Sequence, residues 1–180
     1  MTLILASASP RRARLLEEAG IDFLVRVADV DEHEPATGDP AAVARLNAER
    51  KARAVEGELV LGADTVVALG DTLLGKPADA ADARRMLDLL SGTTHAVTTG
   101  VALRRGDAVE VRAVETRVTM RAWTEDEMRA YVDSGEGLGK AGGYAIQETA
   151  DRFVTALDGP WDNVVGLPVE TVRELLRALA

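Results

Sequence analysis

The chain has 180 residues, 47% hydrophobic and 28% charged, a balance that suits a soluble globular domain with a full core and excludes a disordered or fibrous chain. A net charge of −9 argues against extended nucleic-acid binding, so any phosphate would need a local basic pocket within an acidic whole. The absence of cysteine excludes disulfides, thiolate metal sites and a cysteine nucleophile, and makes the cytoplasm the expected setting. No stretch approaches a membrane span, and the short opening apolar run lacks a signal-peptide layout. One domain over residues 1–180 is the expectation.

Leu3-Ile4-Leu5 reads as a buried strand that ends in Ala6-Ser7-Ala8-Ser9. Ser9 stands where an N-cap belongs, and Pro10 fits the first helical position, where its missing N–H costs nothing. Arg11 and Arg12 follow in the first turn, where the helix dipole disfavours cations. Strand, small-residue turn, helix start and two forked guanidiniums together suit a phosphate group. The alternative is a solvated basic helix start. Helical spacing runs through Leu15 and Leu16 and stops at Gly20. Phe23 to Ala28 reads as a strand. Asp29 to Pro35 follows as an acidic loop, either a set of oxygen ligands for a divalent ion or a solvated turn.

Asp39-Pro40 opens a second helix that runs to about Val55. Lys51 falls on its inner face, amid Ala44, Asn47, Ala48, Ala54 and Val55. A buried lysine needs a counter-charge or a ligand unless its stem snorkels to solvent. Leu59 to Leu69 is the most apolar stretch and should be the central strand. Asp64 interrupts it, and a carboxylate there must be paired, hydrogen-bonded or metal-bound. Gly62 and Ala63 leave room for close approach.

Gly70-Asp71 makes a hairpin turn, and the return strand leads to Gly75-Lys76-Pro77, where Pro77 holds Lys76 extended. A third helix spans Ala80 to Leu90, capped by Asp79 and stopped at Ser91-Gly92. Thr94–Leu103 and Ala108–Met120 read as long strands. Thr124 and Glu127 form a capping box for a fourth helix. Ser134 to Gln147 is glycine-rich but fits neither the Walker A nor the dinucleotide spacing, so a mobile loop over a pocket is expected. Tyr144-Ala145-Ile146-Gln147 alternates like a strand, with Gln147 able to read a base edge. Phe153 to Leu157 reads as another strand. Pro168 opens a C-terminal amphipathic helix with Val172, Leu175, Leu176 and Leu179.

Taken together, these pieces resemble the Maf family of nucleoside triphosphate pyrophosphatases. The matching runs are Leu5-Ala6-Ser7-Ala8-Ser9-Pro10-Arg11-Arg12, Glu32, Lys51-Ala52-Arg53-Ala54, Gly62-Ala63-Asp64-Thr65-Val66-Val67 and Gly75-Lys76-Pro77. Ser91-Gly92 with His95 and Thr98, Lys140-Ala141-Gly142-Gly143-Tyr144-Ala145-Ile146-Gln147 and Asn163-Val164-Val165-Gly166-Leu167-Pro168 complete them. The resemblance covers nearly the whole chain. It implies an α/β fold of two lobes around an elongated mixed sheet with a central cleft, similar to the inosine triphosphatase architecture. It implies hydrolysis of a nucleoside triphosphate to monophosphate and pyrophosphate with a divalent cation, Mg²⁺ or Mn²⁺. It also implies a homodimer and a link to cell-division arrest.

By the same resemblance, the catalytic aspartate maps to Asp64 and the phosphate-binding positions to Ser7, Arg11, Arg12, Lys51 and Lys76. Glu32 and Asp64 map to the metal. The branch acting on dTTP and UTP matches at Arg11, Thr65 and Gln147. Two departures stand out. Ala8 replaces a common glycine, and Glu148-Thr149-Ala150 replaces a more usual glycine-containing run beside the expected base pocket. The competing readings are a nucleotide-binding regulator of division without turnover, a phosphohydrolase that releases orthophosphate, and a structural protein. The last leaves Asp64 and Lys51 unexplained.

Overall fold

The computed structural model describes residues 2–179. The apolar run becomes the central strand β3 (Leu59–Leu69), where the apolar pattern placed it. With β1 (Leu3–Leu5), β2 (Phe23–Val25), β4 (Thr72–Leu74), β5 (Thr94–Arg105), β6 (Ala108–Met120) and β7 (Val154–Asp158) it forms one mixed seven-stranded sheet. The strand order is β2-β1-β3-β5-β6-β7, with β4 hydrogen-bonded to β3. β1 lies parallel to both β2 and β3, whereas β3, β5, β6 and β7 pair antiparallel in succession.

The register of β3 explains where a cleft opens. On one edge β5 pairs with it from Leu59 to Ala68. On the other edge β1 covers Val60 and Leu61, and β4 covers Val67 to Leu69. Among the described residues no strand pairs with residues 62–66 on that edge, and the gap lies just past the C-terminal end of β1. Ligands of open α/β sheets bind in such a place, outside the carboxyl ends of parallel strands.

Helices α1 (Pro10–Glu18), α2 (Pro40–Ala54), α3 (Ala80–Leu90), α4 (Glu125–Ser134), α5 (Trp161–Val165) and α6 (Val169–Ala178) complete the fold. Alternate residues of β3 serve opposite faces, as a strand's period of two requires. Leu61, Ala63 and Val67 join the large apolar cluster that holds Leu16, Leu87, Phe153 and Leu175. Val60 joins a smaller one with Ala48 and Ala52 of α2. Asp64 shares the parity of Val60 and so faces α2. None of the described helices is long and apolar enough to cross a membrane.

Local signals account for most boundaries. Asp39 accepts from Ala41 N ahead of α2, Asp79 accepts from Asp82 N ahead of α3, and Thr124 with Glu127 forms the expected capping box. Three expectations need correction. The strand from Phe23 ends at Val25 and does not reach Ala28, because its neighbour β1 has itself ended at Leu5. Tyr144 to Gln147 is a turn, not a strand: Tyr144, Ala145 and Ile146 are all buried, so no exposed face exists to alternate with. The glycine-rich stretch is tied down at a 3-10 turn over Ala141–Gly143, where Gly142 N donates to Gly75 O at 3.0 Å. The helix α5, only five residues long, carries no periodic signal of its own.

Candidate active site

A cavity of about 480 Å³ fills the gap beside β3. Ser7, Arg11, Arg12, Glu32, Lys51, Asp64, Thr65, Lys76 and Gln147, the nine residues singled out from the sequence, all line it. Five cationic side chains, the four above and Lys140, face two carboxylates there. This is the local basic pocket that an acidic chain needs if it is to hold phosphate.

Asp64 is 6% exposed and fully engaged. Its Oδ1 accepts from Lys51 Nζ at 2.7 Å, and its Oδ2 accepts from Asn47 Nδ2 at 3.0 Å. Asn47 and Lys51 stand one turn apart on α2, so one helix face grips the carboxylate twice. Lys51 Nζ also pairs with Glu32 Oε1 at 2.7 Å, and Lys76 Nζ with Glu32 Oε2 at 2.8 Å. The acidic loop, the end of α2, β3 and the segment after β4 therefore meet in one alternating network of charges. Burial pushes the Glu32 carboxyl up, but hydrogen bonds and charge from Lys51 and Lys76 outweigh it and hold it at about 2. The buried lysine has its counter-charges, and the snorkelling reading falls.

The two arginines divide. Ser9 occupies the cap position of α1 without a side-chain cap bond; instead its N–H donates to Ser7 Oγ at 3.2 Å. Arg12 turns inward, with Nε donating to Gly166 O at 2.8 Å, Nη1 to Ser7 Oγ at 3.2 Å and Nη2 to Thr65 Oγ1 at 3.1 Å. Thr65 Oγ1 in turn lies 2.9 Å from Thr99 Oγ1, which donates to Asn163 O. Arg12 thus joins the cavity floor to the loop after α5. Arg11 is less committed, with Nε donating to Val165 O at 3.4 Å. Burial lowers the affinity of both guanidiniums for their protons, a cost that a bound anion would offset.

Gln147 Nε2 donates to Glu148 Oε1 at 3.3 Å, and Glu148 lies 3.6 Å from Lys140 Nζ. Behind the turn, Tyr144 OH meets His95 Nε2 at 2.8 Å, and Tyr131 OH accepts from Ala145 N at 3.1 Å. These two bonds pin the segment that carries Gln147. Asn47, Lys140 and Glu148 were not singled out as site residues from the sequence. For Asn47 a signal existed: it is a polar residue on the buried face of α2, one turn before Lys51.

Among the described residues no cluster of three or more histidines, cysteines, aspartates and glutamates could hold a metal ion. The donors at hand are the Glu32 and Asp64 carboxylates, whose oxygens already accept from Lys51, Lys76 and Asn47. Mg²⁺ is commonly held by one or two carboxylates plus substrate phosphates and water, not by an all-protein cage. The residues fit a cation that arrives with a phosphate ligand.

Fold and cleft together define the class: an α/β protein whose mixed sheet presents a buried aspartate–lysine pair to a pocket lined by cationic side chains. Comparison with known proteins narrows this. The Maf family model, described as Maf-like protein, matches residues 2–179, and the chain belongs to that family. It is 52% identical over 181 residues to a protein of Anaeromyxobacter sp. (strain Fw109-5), covering 97% of this chain and 88% of that one. It is 52% identical over 183 residues to a protein of Myxococcus xanthus (98% and 92% covered) and 47% identical over 178 residues to one of Symbiobacterium thermophilum (97% and 92%). Each of the three bears the name dTTP/UTP pyrophosphatase. Among solved structures, the Ham1 protein of Staphylococcus aureus aligns over the full length of both chains with a TM-score of 0.54 and 14% identity, a likeness of fold alone.

Proposed function

We propose that the chain is one catalytic unit that hydrolyses nucleoside triphosphates to nucleoside monophosphate and pyrophosphate, with dTTP and UTP preferred. The observation that carries this is the convergence of Asp64 with Arg11, Arg12, Lys51 and Lys76 on one cavity, in a chain of the Maf family. The names of the relatives supply the substrate class.

In this reading Asp64 orients a water and accepts its proton as the water oxygen bonds the α-phosphorus. The bond from that phosphorus to the bridging oxygen breaks, and pyrophosphate leaves with the electron pair. Charge develops on the departing group, so positioning and electrostatics carry the step. Lys51 and Lys76, already extended on the Glu32 carboxylate, supply cations to the triphosphate. Arg11 adds a guanidinium whose protein contacts are few, and Arg12 with Ser7 shapes the floor beneath the phosphates. Glu32 and Asp64 would hold the divalent cation, which supplies charge neutralisation on phosphate oxygens when bound. Gln147, with Thr65 and Arg11, reads the nucleotide. The substrate is free nucleotide rather than nucleic acid, the setting is the cytoplasm, and the assembly is a homodimer.

A panel of standard and modified nucleoside triphosphates, incubated with Mg²⁺ or Mn²⁺ and scored for pyrophosphate and orthophosphate, tests the proposal. Steady pyrophosphate release, fastest with dTTP or UTP, supports it. Orthophosphate as the product, or nucleotide binding without turnover, refutes it.

A further inference from the structure

Asn47 is 2% exposed and lies between the acidic loop and β3. Its Oδ1 accepts from His33 N at 2.8 Å, and its Nδ2 donates to His33 O at 3.0 Å and to Asp64 Oδ2 at 3.0 Å. The amide orientation is forced. A backbone N–H can only donate, so the amide oxygen must face His33 N, while a carbonyl and a carboxylate can only accept, so the NH₂ must face both. Two donors and one acceptor at this reach are what a primary amide on a short stem provides. Aspartate lacks the donors, and leucine lacks all three groups.

The contact is short because α2 lies on bare backbone. A Cβ at Gly62 would stand 2.1 Å from Ala48 O, and one at Gly100 would stand 2.2 Å from Ala44 O. Gly62 and Gly100 both flank Asp64, the first two residues before it and the second opposite it in the register with β5. The close approach brings Asn47 to the carboxylate from one side of the same turn that brings Lys51 to it.

We propose that Asn47 is a positioning residue for the reaction: it fixes the plane of the Asp64 carboxylate and, through His33, the distance between Asp64 and the loop bearing Glu32. This rests on the pyrophosphatase reading above. Lys51 holds Asp64 Oδ1 and leaves the carboxylate free to rotate about that contact; the second bond to Oδ2 removes the rotation. The same amide clamps both backbone groups of His33, one residue past Glu32. Asn47 is the one side chain in these contacts that touches the Asp64 carboxylate and the acidic loop without carrying charge, so it sets geometry without altering the charge balance seen by the phosphates.

The test uses the full chain with Asn47→Leu, Asn47→Ala, Asp64→Asn and the Asn47→Leu/Asp64→Asn pair. Turnover of UTP is measured beside the Kd of its non-hydrolysable α,β-methylene analogue. Asn47→Ala removes all three contacts without adding charge or bulk, so it separates loss of the amide from the bulk that leucine adds, and it serves if Asn47→Leu does not fold. Both Asn47 variants should lower kcat by about 10- to 100-fold with analogue affinity within about threefold of wild type, as expected when a reacting group is misplaced but substrate binding is not. Added to Asp64→Asn, the Asn47→Leu change should cost nothing further, because its effect acts through the carboxylate. Unchanged kcat in both Asn47 variants while Asp64→Asn is inactive overturns the positioning role alone, as does a full multiplicative loss in the pair. Full activity in Asp64→Asn overturns the parent reading, and this role with it.

Discussion

Gly62 of β3 touches Ala48 of α2 backbone to backbone: a Cβ added at Gly62 would lie 2.1 Å from the Ala48 carbonyl oxygen and 2.7 Å from Ala52 N. Neither atom can move without moving the helix. The functional groups of α2 reach Asp64 because no side chain separates helix from strand. Gly62→Ala should therefore displace α2, with a stability cost of about 1–3 kcal/mol or more, as overpacked cores show. The expected result is a lower urea midpoint together with a fall in turnover per folded molecule. A native midpoint with native turnover would show that α2 and β3 have slack there.

The Glu32 carboxyl predicts a pH dependence of stability. Burial pushes it up, hydrogen bonds from Lys51 and Lys76 outweigh that, and it stands at about 2 in the fold against an ordinary 4.5. A carboxyl depressed on folding contributes stability that is present above the unfolded value and is lost as pH falls through the folded one. Wild type should lose this contribution between about pH 4.5 and about pH 2. Glu32→Gln should lose less stability across that window, since its amide does not titrate. Denaturant titrations of both proteins at several pH values measure the difference; parallel curves would mean that the ion pairs add nothing.

Substrate choice turns on Gln147. Its amide offers a donor and an acceptor, which match the carbonyl oxygens and N–H of uracil and thymine. A carboxylate accepts only and suits the N–H and amino donors of guanine. Gln147→Glu should shift kcat/KM from UTP toward GTP by roughly five- to 150-fold, the worth of about 1–3 kcal/mol for a lost buried polar contact. The neighbouring Glu148 already occupies one N–H of that amide and faces Lys140, so the second N–H and the carbonyl are the parts left for the base. Equal kcat/KM for UTP and GTP in wild type, or no change on substitution, would place base recognition elsewhere.

Much of the site was legible before the fold because charge in an apolar context is conspicuous. Asp64 broke the most apolar run, and Lys51 broke the inner face of a helix; each turned out to be the other's partner at 2.7 Å. The limits of α3 were legible for a local reason, the Asp79 cap and the left-handed Gly92 that follows it. What stayed hidden depends on tertiary placement. Nothing in Pro10-Arg11-Arg12 tells that Arg12 turns in to Ser7, Thr65 and Gly166 while Arg11 keeps one long contact. By composition the acidic loop offered several equivalent carboxylates; the family resemblance singled out Glu32, and the approach of Lys51 and Lys76 is the physical reason it differs from Asp29 or Asp31. Tyr144 to Gln147 misled because its period-two pattern is an accident of composition: Tyr144, Ala145 and Ile146 are all buried, and Gln147 lines the cavity.

The central claim is that Asp64 drives pyrophosphate release, and the most direct measurement is the kcat of that release from UTP by Asp64→Asn with Mg²⁺ present. Asparagine keeps the shape, and its one carbonyl oxygen can still accept from Lys51, but its NH₂ then faces the Asn47 NH₂ and it cannot take a proton from water. The account predicts an intact fold and a kcat lowered by roughly 10²–10⁴, the usual worth of a general base. Near wild-type release by the folded variant would contradict it.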